Sequence, residues 1–350
     1  MHDPTGLRVR AFQACVMLGC LAPQLQAAVA SFTSVDFPGA SSTFVTTIDG
    51  NRVAGSYRDG NGVSRAFTWD GSTYTTLTPP GATRSEATGV DGNRVVGWYD
   101  DSAGQSRAFV WNGSAYTTLF PGTPGGYSVA VDAGGGYVSG RFGVSSGFLW
   151  DGVNYRTINS PGIGGPSIMG NDGTNAVGYY ATGPSGQISR GFLWNGQTTT
   201  LLDYPLAAET HPNAISGMNV VGQWIDPLQK SHGFLWNGSS YTSIDPPGST
   251  YTVAVGVSGN HVVGQFADAA GQHGFFWDGT QHTVLDSPAG TQIVVTGVSG
   301  NRVVGFYGPG GGVWSGFVIT VPEPTAATLL AASAVAIAHS RPRRNRIKNP

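Results

Sequence analysis

Charge is scarce in this chain: Asp, Glu, Lys and Arg together make up 11% of its 350 residues. Residues 31–320 carry eleven basic and eighteen acidic side chains, a net of about −7, and Lys230 is their only lysine. A nucleic-acid partner needs a basic surface to displace counterions from phosphates, so that class is excluded. Cysteine is missing as well. The only two, Cys15 and Cys20, lie within the first twenty positions, which removes disulfides, Cys-based metal sites and thiol catalysis from the rest of the chain. Long apolar runs are also few, the two candidates being 11–21 and 325–338. Neither a phosphate loop nor a His-Glu-x-x-His helix occurs, and no cofactor or metal is expected.

What the chain has instead is glycine, at 54 positions, and evenly spread aromatics: nine Trp, sixteen Phe and thirteen Tyr. Low charge alone would suit disorder, but regularly spaced large aromatics argue for a folded β protein. One phrase recurs seven times, most legibly as Gly-Asn-Arg-Val-Val-Gly, a variable stretch, Arg-Ala-Phe-x-Trp-Asn-Gly, Tyr-Thr-Thr-Leu and Pro-Gly. Its second glycine falls at Gly55, Gly97, Gly140, Gly178, Gly222, Gly264 and Gly305, at steps of 42, 43, 38, 44, 42 and 41 residues. A fixed period of this size means one supersecondary unit copied and stacked.

Each copy reads as four strands. In the second, a short strand of small residues at 87–90 leads through Asp91-Gly-Asn to Arg94-Val-Val-Gly-Trp-Tyr99, then Arg107-Ala-Phe-Val-Trp111, then Tyr116-Thr-Thr-Leu119. The pairs Asp70-Gly, Asn112-Gly, Asp151-Gly, Asn195-Gly, Asn237-Gly and Asp278-Gly predict two-residue hairpin turns with positive φ. The same turns account for the sequons at Asn112 and Asn237. Phe and Trp two apart, as in Phe67 and Trp69, share one face of the third strand and should be buried against a neighbouring unit.

Four antiparallel strands in about 42 residues form the blade of a β-propeller. The seventh copy ends at its third strand, 316–319, while residues 32–39 (Phe-Thr-Ser-Val-Asp-Phe-Pro-Gly) match the fourth-strand segment 241–248. The expected fold is therefore all-β: a seven-bladed β-propeller of four-stranded antiparallel blades, closed by the N-terminal strand, so that no sheet edge is left over at the junction.

The ends read as addresses. Arg8 and Arg10, the apolar run 11–21, and Ala28-Val-Ala30 have the layout of a secretory signal cleaved before Ser31, with small residues Ala28 and Ala30 at −3 and −1. Lipidation at Cys20 is the lesser alternative. At the other end stand Pro322-Glu323-Pro324, an apolar stretch at 325–338 and a basic cluster from Arg341. This order resembles the PEP-CTERM sorting signal. The resemblance implies recognition by an exosortase, a membrane protease-transpeptidase, with a C-terminal transmembrane helix held transiently in the inner membrane of a Gram-negative bacterium before delivery to the cell surface or extracellular matrix. Fourteen helical residues rise only about 21 Å against a hydrocarbon core of about 30 Å, so the segment is short for that role. The domains are thus 1–30, signal peptide; 31–320, propeller; and 321–350, sorting signal.

The repeat also resembles the HAF family of extracellular repeats, named for His-Ala-Phe. Here the triplet stands as Arg65-Ala-Phe, Arg107-Ala-Phe, Arg190-Gly-Phe, His232-Gly-Phe and His273-Gly-Phe, with Ser146 and Ser315 in the other two copies. That resemblance implies export and no known activity.

Loops joining second to third strands and fourth to first strands vary most and share one face, where a binding site belongs. Arg84, Glu86, Asp100, Asp101, Glu209, His211 and Asp226 are its expected ligand-binding residues, and no catalytic residue is expected. Glu86 and Glu209 are the only glutamates in the body, on loops far apart around the ring, whereas paired carboxylates that cleave a glycosidic bond stand roughly 5 to 10 Å apart. Asp59-Gly-Asn-Gly is a fragment of a calcium loop without its later carboxylate. Two function classes remain: a surface or matrix scaffold binding polysaccharide or protein, and a secreted carbohydrate-active hydrolase or lyase. A lysine-poor, net-negative surface of Ser, Thr, Asn and Gly favours the former, through largely neutral hydrogen bonding.

Overall fold

The computed structural model describes residues 31–121, 126–143, 146–159, 162–288, 291–309 and 312–322. They form seven four-stranded antiparallel sheets, each in simple sequential strand order except the last. The innermost strands are Ser42–Asp49, Arg84–Asp91, Ser128–Gly134, Ile163–Asp172, Glu209–Ser216, Tyr251–Ser258 and Gln292–Ser299, opening blades 1 to 7. In blade 7 the outer strand is Ser31–Val35, which pairs with Ser315–Thr320 in the register Phe32 to Ile319 and Val35 to Gly316. The ring is closed by the two ends of the propeller segment, as the strand count requires. The proposed signal-peptide residues Ala28 and Ala30, Glu323 and Pro324 of the sorting motif, and the expected transmembrane helix lie outside the described residues; Pro322 is the last described.

The core lies between blades rather than within them. Phe67 of blade 1 is fully buried in a cluster containing Val304 and Val318 of blade 7, and Phe109 of blade 2 is buried with Ala54 and Ala66 of blade 1. The same arrangement repeats at every blade junction. All seven third-strand Phe residues are fully buried, while most of the following Trp residues are half-buried at the periphery.

The marker glycine of the repeat has a mechanical cause. Every inner strand carries a bulge at the equivalent place, between Val45 and Thr47 in blade 1 and between Ala87 and Gly89 in blade 2, for example, and that of blade 4 has a second irregularity between Ile163 and Ser167. Such a bulge bends the strand and re-aims its backbone. The marker glycine sits directly opposite, and a Cβ there would fall within 3.0 Å of a bulged-strand carbonyl oxygen: Phe44 O at Gly55, Glu86 O at Gly97, Val253 O at Gly264.

The rest of the phrase binds neighbouring blades. At each inner turn a glycine N–H is accepted by the blade before it, as in Gly92 to Asp49, Gly136 to Asp91, Gly217 to Asp172, Gly259 to Ser216, and across the closure Gly50 to Ser299. Arg94 donates to Gly136 O and Arg302 to Gly50 O, which accounts for the Arg of Gly-Asn-Arg. Outer-strand Tyr116 and Tyr155 accept from the backbone N–H groups of Thr78 and Phe120 in the preceding blade.

The Asp/Asn-Gly turns differ from expectation. They are four-residue connections in which only the glycine has positive φ, 100° at Gly71 and 101° at Gly113. The leading side chain takes the place of a second strained residue: Asp70 Oδ1 accepts from the N–H groups of Ser72 and Thr73, Asn112 Oδ1 from those of Ser114 and Ala115. Those bonds, Thr73's first, hold the Asp70 carboxyl down to about 2.

Candidate functional site

The inner strands are longer than the sequence suggests, and this moves four expected loop residues. Arg84 and Glu86 lie in the inner strand Arg84–Asp91, and Glu209 and His211 in Glu209–Ser216. Their polar side chains alternate with buried ones because the strand ends face the open mouth of the ring rather than a core. Asp100 ends the second strand of blade 2, and only Asp101 and Asp226 occupy loops.

Those two aspartates are committed to structure. Asp101 Oδ1 accepts from the N–H groups of Ala103 and Gln105, and its Oδ2 lies 3.1 Å from Arg107 Nε. Gln105's bond foremost lowers its pKa. Asp226 likewise caps Leu228 and Lys230 and lies 3.5 Å from His232 Nε2. Asp59, the supposed calcium-loop fragment, is occupied by Asn61, Val63 and Arg65. The first residue of the HAF-like triplet is therefore, in five copies, a strut: an Arg or His tied to loop acids. His273 shows the fullest form, with Asp286 at 2.7 Å from Nδ1 and Asp268 at 3.3 Å from Nε2. Among the described residues no group of His, Cys, Asp or Glu is arranged to hold a metal ion.

Just on the mouth side of each bulge, one inner-strand residue faces one second-strand residue. These pairs are Phe44 with Ser56, Glu86 with Trp98, Val129 with Arg141, Ser167 with Tyr179, His211 with Gln223, Val253 with Gln265 and Val294 with Phe306. Where the rest of the repeat agrees, these columns disagree. At five junctions the second-strand member, Trp98, Arg141, Tyr179, Gln265 or Phe306, meets the inner strand of the next blade, giving a niche there. Blades 7 and 1 close theirs with Phe306 against Phe44 at 5.2 Å and Trp314 beside both. Blades 4 and 5 fill theirs with Tyr179 stacked on His211 at 4.7 Å, while Glu209 holds His211 Nε2 at 2.9 Å.

Two niches are open. Between blades 2 and 3 lies a cavity of about 410 Å³ lined by Arg84, Trp98, Ser106, Tyr127, Val129 and Arg141. Between blades 3 and 4 lies one of about 280 Å³ that shares Tyr127 and Arg141. Small residues across the junction leave this room, Val129 facing Trp98 and Gly165 and Ser167 facing Arg141. The guanidinium of Arg84 lies 4.7 Å over the Trp98 ring and its Nε is bonded to Asp100 Oδ2; Ser106 donates to Asp100 Oδ1 at 2.7 Å. Glu86 sits deeper, accepting from Ser64 of blade 1, and burial raises its pKa.

Arg84 and Asp100 thus belong to the open niche, with Glu86 beside it, while Glu209 and His211 belong to a filled one. Trp98, Tyr127 and Arg141 were not singled out from sequence. The signal that could have found them is the column after the marker glycine, which reads Ser56, Trp98, Arg141, Tyr179, Gln223, Gln265, Phe306. The central channel is a third cavity, about 340 Å³. Its side chains bond around the ring, as Thr46 to Ala87 O, Thr88 to Ala130 O and Thr296 to Val45 O. Asp132, accepting from Asn171 and Ala133, has its pKa pushed up to about 6 by burial. These groups serve closure.

No family model matches the sequence, and no curated protein is similar to it in sequence. Solved structures match in fold. The β-propeller domain of the Trilobed protease from Pyrococcus furiosus, described as having an open velcro topology, aligns over 79% of this chain and 95% of its own, with TM-score 0.56 and 9% identity. Pyrococcus horikoshii acylaminoacyl peptidase aligns over 84% of this chain but 55% of its own, with TM-score 0.58 and 7% identity. YCF48, solved bound to D1 peptide, aligns over 83% and 95%, with TM-score 0.50 and 12% identity. At these identities the likeness establishes the propeller alone.

Proposed function

We propose that this protein is an exported, non-catalytic propeller that binds or scaffolds at the cell surface or in the extracellular matrix, contacting polysaccharide or surface protein through the variable mouth of the ring. The observation that carries this reading is the pair of open niches around blade 3, walled by aromatic and cationic side chains, where junctions 7–1 and 4–5 fill the equivalent space with aromatic rings. Concave sites with a few convergent polar groups are where ligands bind. The hydrolase or lyase alternative needs two acids at one mouth position. Glu86 and Glu209 stand three blades apart, and each is engaged by its own neighbour, Ser64 or His211. Delivery rests on the ends: the signal-like segment before Ser31, and the PEP-CTERM-like Pro322-Glu323-Pro324 with its apolar stretch and basic cluster, handled by an exosortase.

Two measurements test this reading. Mass spectrometry of surface-derived protein should find chains lacking Arg341 to Pro350; an intact C-terminus on released protein would remove the sorting step. A glycan and surface-protein array probed with the full chain, combined with a hydrolysis screen, should give binding without turnover. Turnover that disappears in Glu86→Gln or Glu209→Gln would replace the scaffold with an enzyme.

A further inference from the structure

We infer that the niches on either side of blade 3 form a subsite for an acidic saccharide, with the carboxylate of a uronic acid unit held between Arg141 and Arg84. The inference rests on the polysaccharide-binding reading above and narrows it to one ligand class.

Ten arginines lie between residues 31 and 322. Nine have a hydrogen-bonded or ion-paired partner: Arg52 with Asn93, Arg58 with Gly62, Arg65 with Asp59, Arg84 with Asp100, Arg94 with Gly136, Arg107 with Asp101, Arg156 with Gly196, Arg190 with Asp203 and Arg302 with Gly50. Arg141 is the exception among the described residues: it is exposed, it lines both cavities, and no group there accepts from its guanidinium. Blade 3, like blade 7 with Ser315, has a serine, Ser146, where five blades carry the Arg or His strut, and the connection before it contains no acid. Arg84 complements it from across the larger cavity. Its plane is fixed by Trp98 below and Asp100 at Nε, and among the described residues nothing accepts from its Nη groups. A planar, immobilised guanidinium with free η N–H groups presents the fork that matches a carboxylate.

The remaining walls suit a sugar ring. Tyr127, 39% exposed, stands between the two cavities and offers an aromatic face with a hydroxyl. The Ser106 hydroxyl spends its proton on Asp100 and keeps its lone pairs for a sugar O–H. Cavities of about 410 and 280 Å³ are of small-molecule size, and sharing Tyr127 and Arg141 lets adjacent units occupy both. An extended acidic peptide fits less well. Peptide recognition by strand addition draws on backbone N–H and C=O groups of an open edge. The second strands facing these niches are paired on both sides. The inner strands, though sheet edges, lie around the channel, where the neighbouring blade already uses them, as Thr88 does Ala130 O.

The test is calorimetric titration of the full chain with trigalacturonate, its methyl ester, neutral galactotriose and poly-glutamate. Trigalacturonate should bind at least tenfold more tightly than the ester or the neutral sugar, with affinity falling as salt rises. Arg141→Gln, an exposed change that should leave the melting temperature unaltered, should remove that preference; Arg156→Gln, on the opposite face, should not. Equal binding of acid and ester, or an Arg141→Gln variant that keeps the preference, would overturn the acidic subsite and leave the polysaccharide reading standing. Absence of binding to any saccharide would overturn both. Poly-glutamate binding that depends on Arg141 and matches trigalacturonate would assign the site to a peptide and overturn the saccharide inference.

Discussion

Replacing Gly97 by alanine puts one methyl group where the ring can least absorb it. The new Cβ would meet the Glu86 carbonyl oxygen and the Ala87 Cα within 3.0 Å, and both are backbone atoms that no rotamer change can move aside. The inner strand of blade 2 would have to shift by a good part of an ångström. That strand is also held by Thr88 to Ala130 O on one side and by Gly92 N–H to Asp49 on the other. Overpacking a tight site costs about 1–3 kcal/mol, and weakening two such hydrogen bonds about 1 kcal/mol each. The expected loss is therefore about 3–5 kcal/mol, a large share of the roughly 5–15 kcal/mol that holds a domain folded. Gly60→Ala is the control: its Cβ would enter open space and its φ is not positive, so a gain of about 0.5 kcal/mol is expected from the unfolded chain. Urea unfolding followed by tryptophan fluorescence reads both. Gly264 faces the same geometry against Val253 O, so Gly264→Ala should lose a similar amount. If Gly97→Ala and Gly60→Ala unfold at the same urea concentration, the close-approach account of the marker glycine is wrong.

Deleting residues 31–39 removes the strand that closes blade 7, together with fully buried Val35 and with Phe32, which packs on Tyr307 at 5.2 Å and Phe317 at 5.5 Å. Large-to-nothing loss of core contacts costs about 3–5 kcal/mol, or about 10 °C of melting temperature for a domain of this size, and the transition should stay cooperative; an unchanged melting curve would refute closure. The His273 strut predicts a pH dependence. Its pKa is raised, chiefly by the bond to Asp286, so its stabilisation is full below the unfolded value of about 6.5 and disappears as pH climbs through the folded value. His273→Gln should then cost more stability at pH 6 than at pH 9 in urea titrations, and equal losses would show that the charge does not contribute.

Blade number and closure were legible because the features that mark a repeat each have a fixed mechanical partner, within the blade or in its neighbour. Gly97 recurs for a carbonyl oxygen, Arg94 for the turn of the next blade, Tyr116 for an amide of the blade before, and Phe109 for an interblade core. Strand limits at the mouth were not legible. Arg84-Ser-Glu86 and Glu209-Thr-His211 read as polar loop because alternation predicts a strand only when one face meets a core, and here the polar face meets the opening. Acidic loop residues misled for a related reason. Asp101 and Asp226 look available in sequence, yet each caps two amides and holds the Arg or His at the head of the third strand.

A repeat protein carries its own internal comparison. Columns that agree across the seven copies have a mechanical partner, within the blade for Gly97 and the Asp/Asn-Gly turns and in an adjoining blade for Arg94, Tyr116 and Phe109. Columns that disagree, at the cross-strand pair beside the bulge, are those the closure does not need. Two junctions nonetheless use them to fill the mouth, with Phe306 against Phe44 and Tyr179 against His211. Blade 3 does the reverse on both sides. It places Val129 beside Trp98, shares with blade 7 a serine in place of the strut residue, and leaves Arg141 without a partner among the described residues. The open site thus arises by subtraction from the repeat. Restoring the strut, with Ser146→Arg and a five-residue connection bearing an aspartate, is the change that would make blade 3 ordinary and close it.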